Sequence, residues 1–385
     1  MRILFFVFLF LFCLTSTTLA VDPILIITTD KATPDKWFQV PIEAGPRLLT
    51  SSKVYPGQDL YFYVAAGGYS CDGAGNLKLQ YDVTVSGPDG KKLLERKNLL
   101  LHEGASTNPQ IIYMSREGVA VRFDSNDKLG QYSVSVSVRD LVANTAKSTQ
   151  GTFALIDYQE QKYFTEDAQL NLWINTYYQK PTPEKSIDGY LYYVNSPLLE
   201  KHPANFLGLT AFYIKIFNDN KYLVPKFLSQ YAEQNDNTKI AMLHIIRFID
   251  ADKTAFLKGL SSTELAYYEK LSELPKPYDE IKIPAQLDML WSTFFASGEI
   301  EPIRRLVNVL DYATFKGALE VLKNSAQTED DKVRARKDLL YRAAQWSLGS
   351  NIKQHPLVRD YCITIYKRGE LSDTAKEELG KLLGY

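Results

Sequence analysis

The stretch LDMLWSTFFASGEIEPIRRLVNVL, residues 287–310, sets the period that governs most of this chain. Leu287, Leu290, Trp291, Phe294 and Phe295 recur at helical spacing, which gathers them on one wide apolar face. Gly298 supplies a stop. In the second half Ile300, Ile303, Val307 and Leu310 fall on one side, and Arg304, Arg305 and Asn308 on the other. So short a joint makes the two helices an antiparallel pair. Helix-start signals recur around this pair: Thr182 before Pro183, Ser261 with Glu264 as a capping box, and Ser372 before Asp373. A further helix is predicted over 330–348, with Leu339, Ala343 and Trp346 on its buried face and Gly349 as its end. SNIKQH, 350–355, then reads as a polar joint in which His355 stands at the N-cap of a helix opened by Pro356. About eleven or twelve helices are expected between 166 and 385. They show no fixed repeat period, so the region reads as an irregular α-helical repeat-like domain.

From residue 24 to 157 the period is two. LKLQYDVTV places Leu77, Leu79, Tyr81, Val83 and Val85 on one face, and YSVSVSV does the same with Tyr132, Val134, Val136 and Val138. YPGQ, SGPDGKK and SNDKLGQ lie between strand candidates and carry turn residues. About seven or eight short strands at this spacing predict an antiparallel sandwich. FDSNDKLGQYSVSVSVRD resembles the corner leading into a strand of immunoglobulin-like domains, matched at Asp127, Leu129, Gly130 and Tyr132. The buried Trp and paired cysteines of antibody-type domains are missing, so the resemblance is to bacterial immunoglobulin-like modules. The predicted architecture is multidomain, all-β plus all-α: an immunoglobulin-like β-sandwich over 21–157, a linker over 158–165 and the helical domain over 166–385. LDMLWSTFFASGEIEPI and AAQWSLGSNIKQHP also resemble the C-terminal helical region of uncharacterised exported bacterial proteins, a resemblance that implies no activity.

Residues 1–20, MRILFFVFLFLFCLTSTTLA, have the charge, apolar run and small-residue ending of a secretory signal peptide, with cleavage expected after Ala20. Phe12 stands before Cys13 where a lipoprotein signal would carry a small residue. The chain is therefore expected in the periplasm or secreted. No later stretch is long and apolar enough to span a membrane. Lys and Arg number 44 against 45 Asp and Glu, a formal charge of −1, and loss of Arg2 makes it one unit more negative. That balance offers no electrostatic attraction to nucleic acid. Cys71 and Cys362 remain, in different predicted domains, either as two thiols or as a pair.

His102, His202, His244 and His355 are scattered, with no H-E-x-x-H and no C-x-x-C, so no metal or other cofactor is expected. The G-x-S-x-G elbow is absent. His355 and Cys362 lie seven positions apart on one helix, too distant for direct proton transfer. SCDGAGN and FDSNDKLG read as Asx-turns ahead of calcium loops. Tyr177, Tyr178, Tyr190, Tyr192 and Tyr193 crowd around a proline-bearing loop, and Asn351 and His355 sit in the polar joint. These seven residues are the candidate binding residues, since Tyr pairs an apolar ring with a polar hydroxyl. The expectation is an exported, non-catalytic binding or scaffold protein for a protein or cell-envelope partner. The alternative is an envelope hydrolase acting on glycan or peptide at the domain junction.

Overall fold

A computed structural model describes residues 21–106, 110–201, 206–276, 278–324 and 328–385. The signal peptide expected at 1–20, with Cys13, and His202 lie outside the described residues. Nine strands are described: β1 (Asp22–Thr28), β2 (Lys53–Val54), β3 (Asp59–Gly67), β4 (Asn76–Ser86), β5 (Lys92–Ala105), β6 (Tyr113–Met114), β7 (Val119–Arg122), β8 (Gly130–Asp140) and β9 (Thr145–Leu155). One short helix, α1 (Thr33–Phe38), interrupts them. Fourteen more follow: α2 (Asp167–Thr176), α3 (Ser186–Asn195), α4 (Leu198–Lys201), α5 (Phe206–Asp219), α6 (Val224–Ser229), α7 (Asp236–Phe248), α8 (Thr254–Gly259), α9 (Ser262–Lys270), α10 (Pro284–Ser297), α11 (Glu301–Asn308), α12 (Ala318–Asn324), α13 (Glu329–Gln354), α14 (Pro356–Arg368) and α15 (Asp373–Leu383).

The alternation in β4 and β8 is realised as written. Leu77, Leu79, Tyr81, Val83 and Val85 are buried, and Tyr81, Val83 and Val85 stand opposite Val138, Val136 and Val134 across an antiparallel ladder. The tyrosine corner also forms, with the Tyr132 hydroxyl donating to the Lys128 carbonyl at 2.8 Å. The immunoglobulin-like antiparallel sandwich does not. One sheet runs β1-β3-β6 with β7 also on β3; the other runs β2-β9-β8-β4-β5, and there β2 lies parallel to β9 through Lys53↔Ala154 and Val54↔Leu155. A corner bond is local and fixes no strand order, whereas the parallel β2 makes the sheet mixed.

The division into all-β and all-α halves is corrected too. The chain forms two compact units. The first takes residues up to Leu25, Tyr63–Arg116 and Ser133–Gly151. The second takes Ile26–Phe62, Glu117–Tyr132 and Thr152–Tyr385, so it mixes strand-bearing segments with all the later helices. Its core is a continuous cluster from Phe164 to Leu379 in which aromatic rings meet edge to face, as Trp173 does with Tyr177 and Phe212.

Within that unit α10 buries Leu287, Leu290, Trp291, Phe294 and Phe295, and Gly298 closes it at φ 69° with its N–H donating to the Phe294 carbonyl. Capping bonds form at Ser261 with Glu264 and at Ser372. The reading of 330–355 needs correction. Helix α13 continues through Gly349 to Gln354, leaving His355 alone as the joint. Gly349 stays helical, and a Cβ there would stand 3.3 Å from the Leu382 side chain, so its role is close packing. The buried face was also misassigned. Leu340, Tyr341, Ala344, Leu348 and Ile352 face the core and Ala343 packs partly against it, while Trp346 is 77% and Leu339 40% exposed. Two apolar stripes run along this helix, and the core takes the longer one.

Truncating the two stripes should therefore differ sharply. In urea unfolding, Leu348→Ala is expected to cost about 2–5 kcal/mol, and Trp346→Ala to change stability by no more than about 0.5 kcal/mol.

Candidate functional site

Two of the candidate residues, far apart in sequence, meet. Tyr178 lies in a 3-10 turn, Tyr177–Gln179, after α2, and its hydroxyl is 3.2 Å from Nδ1 of His355 between α13 and α14. Burial holds the His355 imidazole below its ordinary pKa and pushes the Tyr178 phenol up. Gln179 Nε2 also donates to that phenol at 3.0 Å, which leaves the phenol proton for Nδ1 of a neutral ring. Tyr177, Tyr190 and Tyr193 are buried in the helical core. Tyr192 is half-buried and donates to Asp167 Oδ1 at 2.9 Å. Asn351 donates to the Ser347 carbonyl within α13, at 2.9 Å. The rings of these last four tyrosines are thus accounted for by packing, and Tyr192 and Asn351 also by local bonds, while the Tyr190 and Tyr193 hydroxyls are buried without a hydrogen-bond partner.

Beside Tyr178 lies a feature that sequence reading missed. Lys36 on α1 and Asp30 just after β1 form an ion pair at 2.6 Å, with side chains 3% and 7% exposed. The Lys36 ammonium also donates to the Tyr178 carbonyl at 3.3 Å. Asp30 Oδ1 accepts from the Ala32 N–H at 3.0 Å, an Asx-turn that opens α1. Gly298 makes the room: a Cβ there would stand 2.8 Å from Lys36 Cε. The Gly298 carbonyl accepts from the Tyr361 hydroxyl at 2.8 Å.

Over this pair runs a line of cavities. One, of about 230 Å³, is lined by Lys36, Arg47, Leu48, Leu49, Tyr178, Gln179 and Leu357. The next, of about 400 Å³, begins at Leu49 and runs between residues 49–53 and 180–184, with Thr28, Thr29, Asp30, Tyr55 and Gln58 completing it. A third, of about 40 Å³, shares Thr29, Asp30, Pro181 and Pro183 with the second and reaches Asp59, Asp219 and Glu299. Residues 47–52 form one wall without helix or strand, tied down where the Ser51 N–H donates to the Ile27 carbonyl at 2.7 Å.

Each carboxylate along this groove is held by a cation. Lys53 reaches Glu184 at 2.9 Å, and Lys31 reaches Asp219 at 2.8 Å. Lys215 bridges Asp219 and Glu299 at 3.0 and 2.8 Å, and Arg122 grips Asp59 with two bonds of 2.8 Å. On α1 the Asp35 carboxyl is pushed up, first by burial and then by the Glu299 and Asp30 charges. Among these residues the sequence offered one usable signal, the polar run TTDKATPDKW, 28–37, breaking a strand pattern.

Elsewhere, Asp72 accepts from the Ala74 and Asn76 N–H groups, so that acidic loop closes as an Asx-turn, whereas in the other Asp127 reaches back to accept from the Asp124 N–H and no Asx-turn forms there. Cys71 and Cys362 are free thiols. His244 is half-buried, with Nε2 3.1 Å from the Tyr267 hydroxyl. Among the described residues no cluster of His, Cys, Asp and Glu has the form of a metal site.

No protein-family model matches the chain, and no curated protein matches it. A solved family 123 glycoside hydrolase from Clostridium perfringens, studied for glycolipid glycan hydrolysis, is similar over 47% of this chain at 12% identity, with a TM-score of 0.22. The match covers 36% of that protein. A likeness of that size lends no functional weight.

The buried imidazole sets a pH dependence. Because the folded pKa of His355 lies below its ordinary value near 6.5, the unfolded chain takes up the proton first on acidification. Its contribution is intact above about pH 6.5 and is lost as pH falls through the folded value. The melting temperature of His355→Gln is therefore expected to fall less than that of the unaltered protein between about pH 7.5 and 5. Part of the slope will persist, since burial also lowers His102 and His244.

Proposed function

We propose that this protein is an exported, non-catalytic binding protein whose groove takes an extended, neutral, hydroxyl-rich chain, an oligosaccharide of the cell envelope. The observation that carries this reading is the line of cavities along residues 47–53, whose carboxylates are all already paired. A cationic ligand would have to displace one of these pairs and leave its partner unmatched. A neutral polyol instead finds hydrogen-bonding groups spaced along the groove: the hydroxyls of Thr50 and Ser52, the Thr29 and Ser51 hydroxyls that bond each other at 3.2 Å, and the Lys180 ammonium. Pro181 and Pro183 give the opposite wall apolar surface for the ring faces of a sugar. Export is supported by the character of residues 1–20.

The test is calorimetric titration with neutral tetrasaccharides (chitotetraose, cellotetraose), a charged oligogalacturonate and an unstructured peptide of similar length. Binding of a neutral sugar is expected, and Ser52→Trp, which places a large ring at an exposed position on the groove wall, should abolish it with unchanged melting temperature. Preference for the charged sugar or the peptide, or insensitivity to Ser52→Trp, would contradict the reading. Release of new reducing ends would turn it toward the hydrolase.

A further inference from the structure

The stripe that resembled core and is not core has its own use. Lys332, Arg336, Leu339, Ala343, Trp346 and Lys353 follow one another at spacings of three, four and seven along α13, so they share one face of a helix. Apart from Ala343, which packs partly against the core, that face points to solvent, with Trp346 77% exposed. On a single ordered helix of 26 residues, an indole so placed satisfies nothing in the fold. The cations are long side chains that spread to either side of the apolar line, and the one acid at matching spacing, Glu329, lies at the N-terminal end of the helix beside Lys332. Arg342, beside Trp346, is occupied by Asp338 and Glu320, and Lys332 by Glu329. Among the described residues Arg336 and Lys353 make no ion pair, though the Glu329 charge lies near enough to Arg336 for the two to interact.

We propose that this face of α13 docks on an anionic lipid bilayer, with Trp346 and Leu339 entering the headgroup layer and Arg336 and Lys353 meeting lipid phosphates. The cationic rim opposes a second copy of the same face, because like charges would be set against each other. It favours a negative surface. A convex helix with an aromatic on its crest needs no complementary groove in a bilayer, and Trp with flanking Lys and Arg is the combination that settles at the headgroup level. No helix among the described residues is long and apolar enough to cross a membrane, so the contact is one of surface docking.

Co-sedimentation of the purified chain with vesicles of phosphatidylcholine alone, and of phosphatidylcholine with about 30% phosphatidylglycerol, tests this. Binding is expected only to the anionic vesicles. It should weaken at least about tenfold between about 0.05 and 0.5 M NaCl and at least about fivefold in Trp346→Ala. Arg336→Glu with Lys353→Glu should abolish it while the melting temperature stays unchanged. Absence of binding to anionic vesicles, or binding indifferent to these substitutions, overturns the proposal. So does reversible dimerisation in sedimentation velocity that Trp346→Ala abolishes, which would assign the face to a second copy.

Discussion

The ion pair between Lys36 and Asp30 is the constraint around which the candidate site is arranged. Taking two charges out of water is costly unless each finds a partner and further hydrogen bonds. Here the carboxylate accepts from Lys36 and from the start of α1, and the ammonium adds the Tyr178 carbonyl. Lys36 can lie where it does only because α10 ends in a residue without a Cβ, and the freed Gly298 carbonyl is taken by Tyr361. Four stretches distant in sequence, around residues 30–36, 178, 298 and 361, are thereby fixed to one another. The groove lies along this junction, and its far wall begins at the very turn whose carbonyl Lys36 holds.

A second consequence is electrostatic. The groove gathers carboxylates and cations in nearly equal number, and each acid is matched. Such a lattice is stiff, because each long side chain is held at its head, and it projects little net charge. Stiffness and neutrality together suit recognition by hydrogen bonds spaced along an extended ligand. Chemistry that needs an acid and a base of different proton affinity is less well served by carboxylates already tied as ions.

What the sequence made legible was periodicity. The faces of β4 and β8, the core face of α10, the stop at Gly298 and the caps at Ser261 and Ser372 were all readable, because each is a local matter of spacing or of one side chain near one backbone group. Strand order was not. The short β2 pairs parallel with β9 a hundred residues later, and nothing in Lys53 or Val54 announces it. On α13 two apolar stripes compete, and only the packing of α15 and its neighbours decides between Leu348 and Trp346. The site was half visible: Tyr178 and His355 were singled out, but Asp30, Lys36 and Glu184 look in sequence like ordinary surface charges, and their burial is a property of the assembled fold.

The most direct measurement is a double-mutant cycle in urea unfolding on Asp30→Asn, Lys36→Met and the two combined. A buried, mutually dependent pair predicts a loss of about 3–5 kcal/mol for either single change. The double variant should then lose less than the sum of the singles by at least about 2 kcal/mol. Single losses below about 1 kcal/mol that simply add would mean that the two charges are solvated and independent, and would contradict the account.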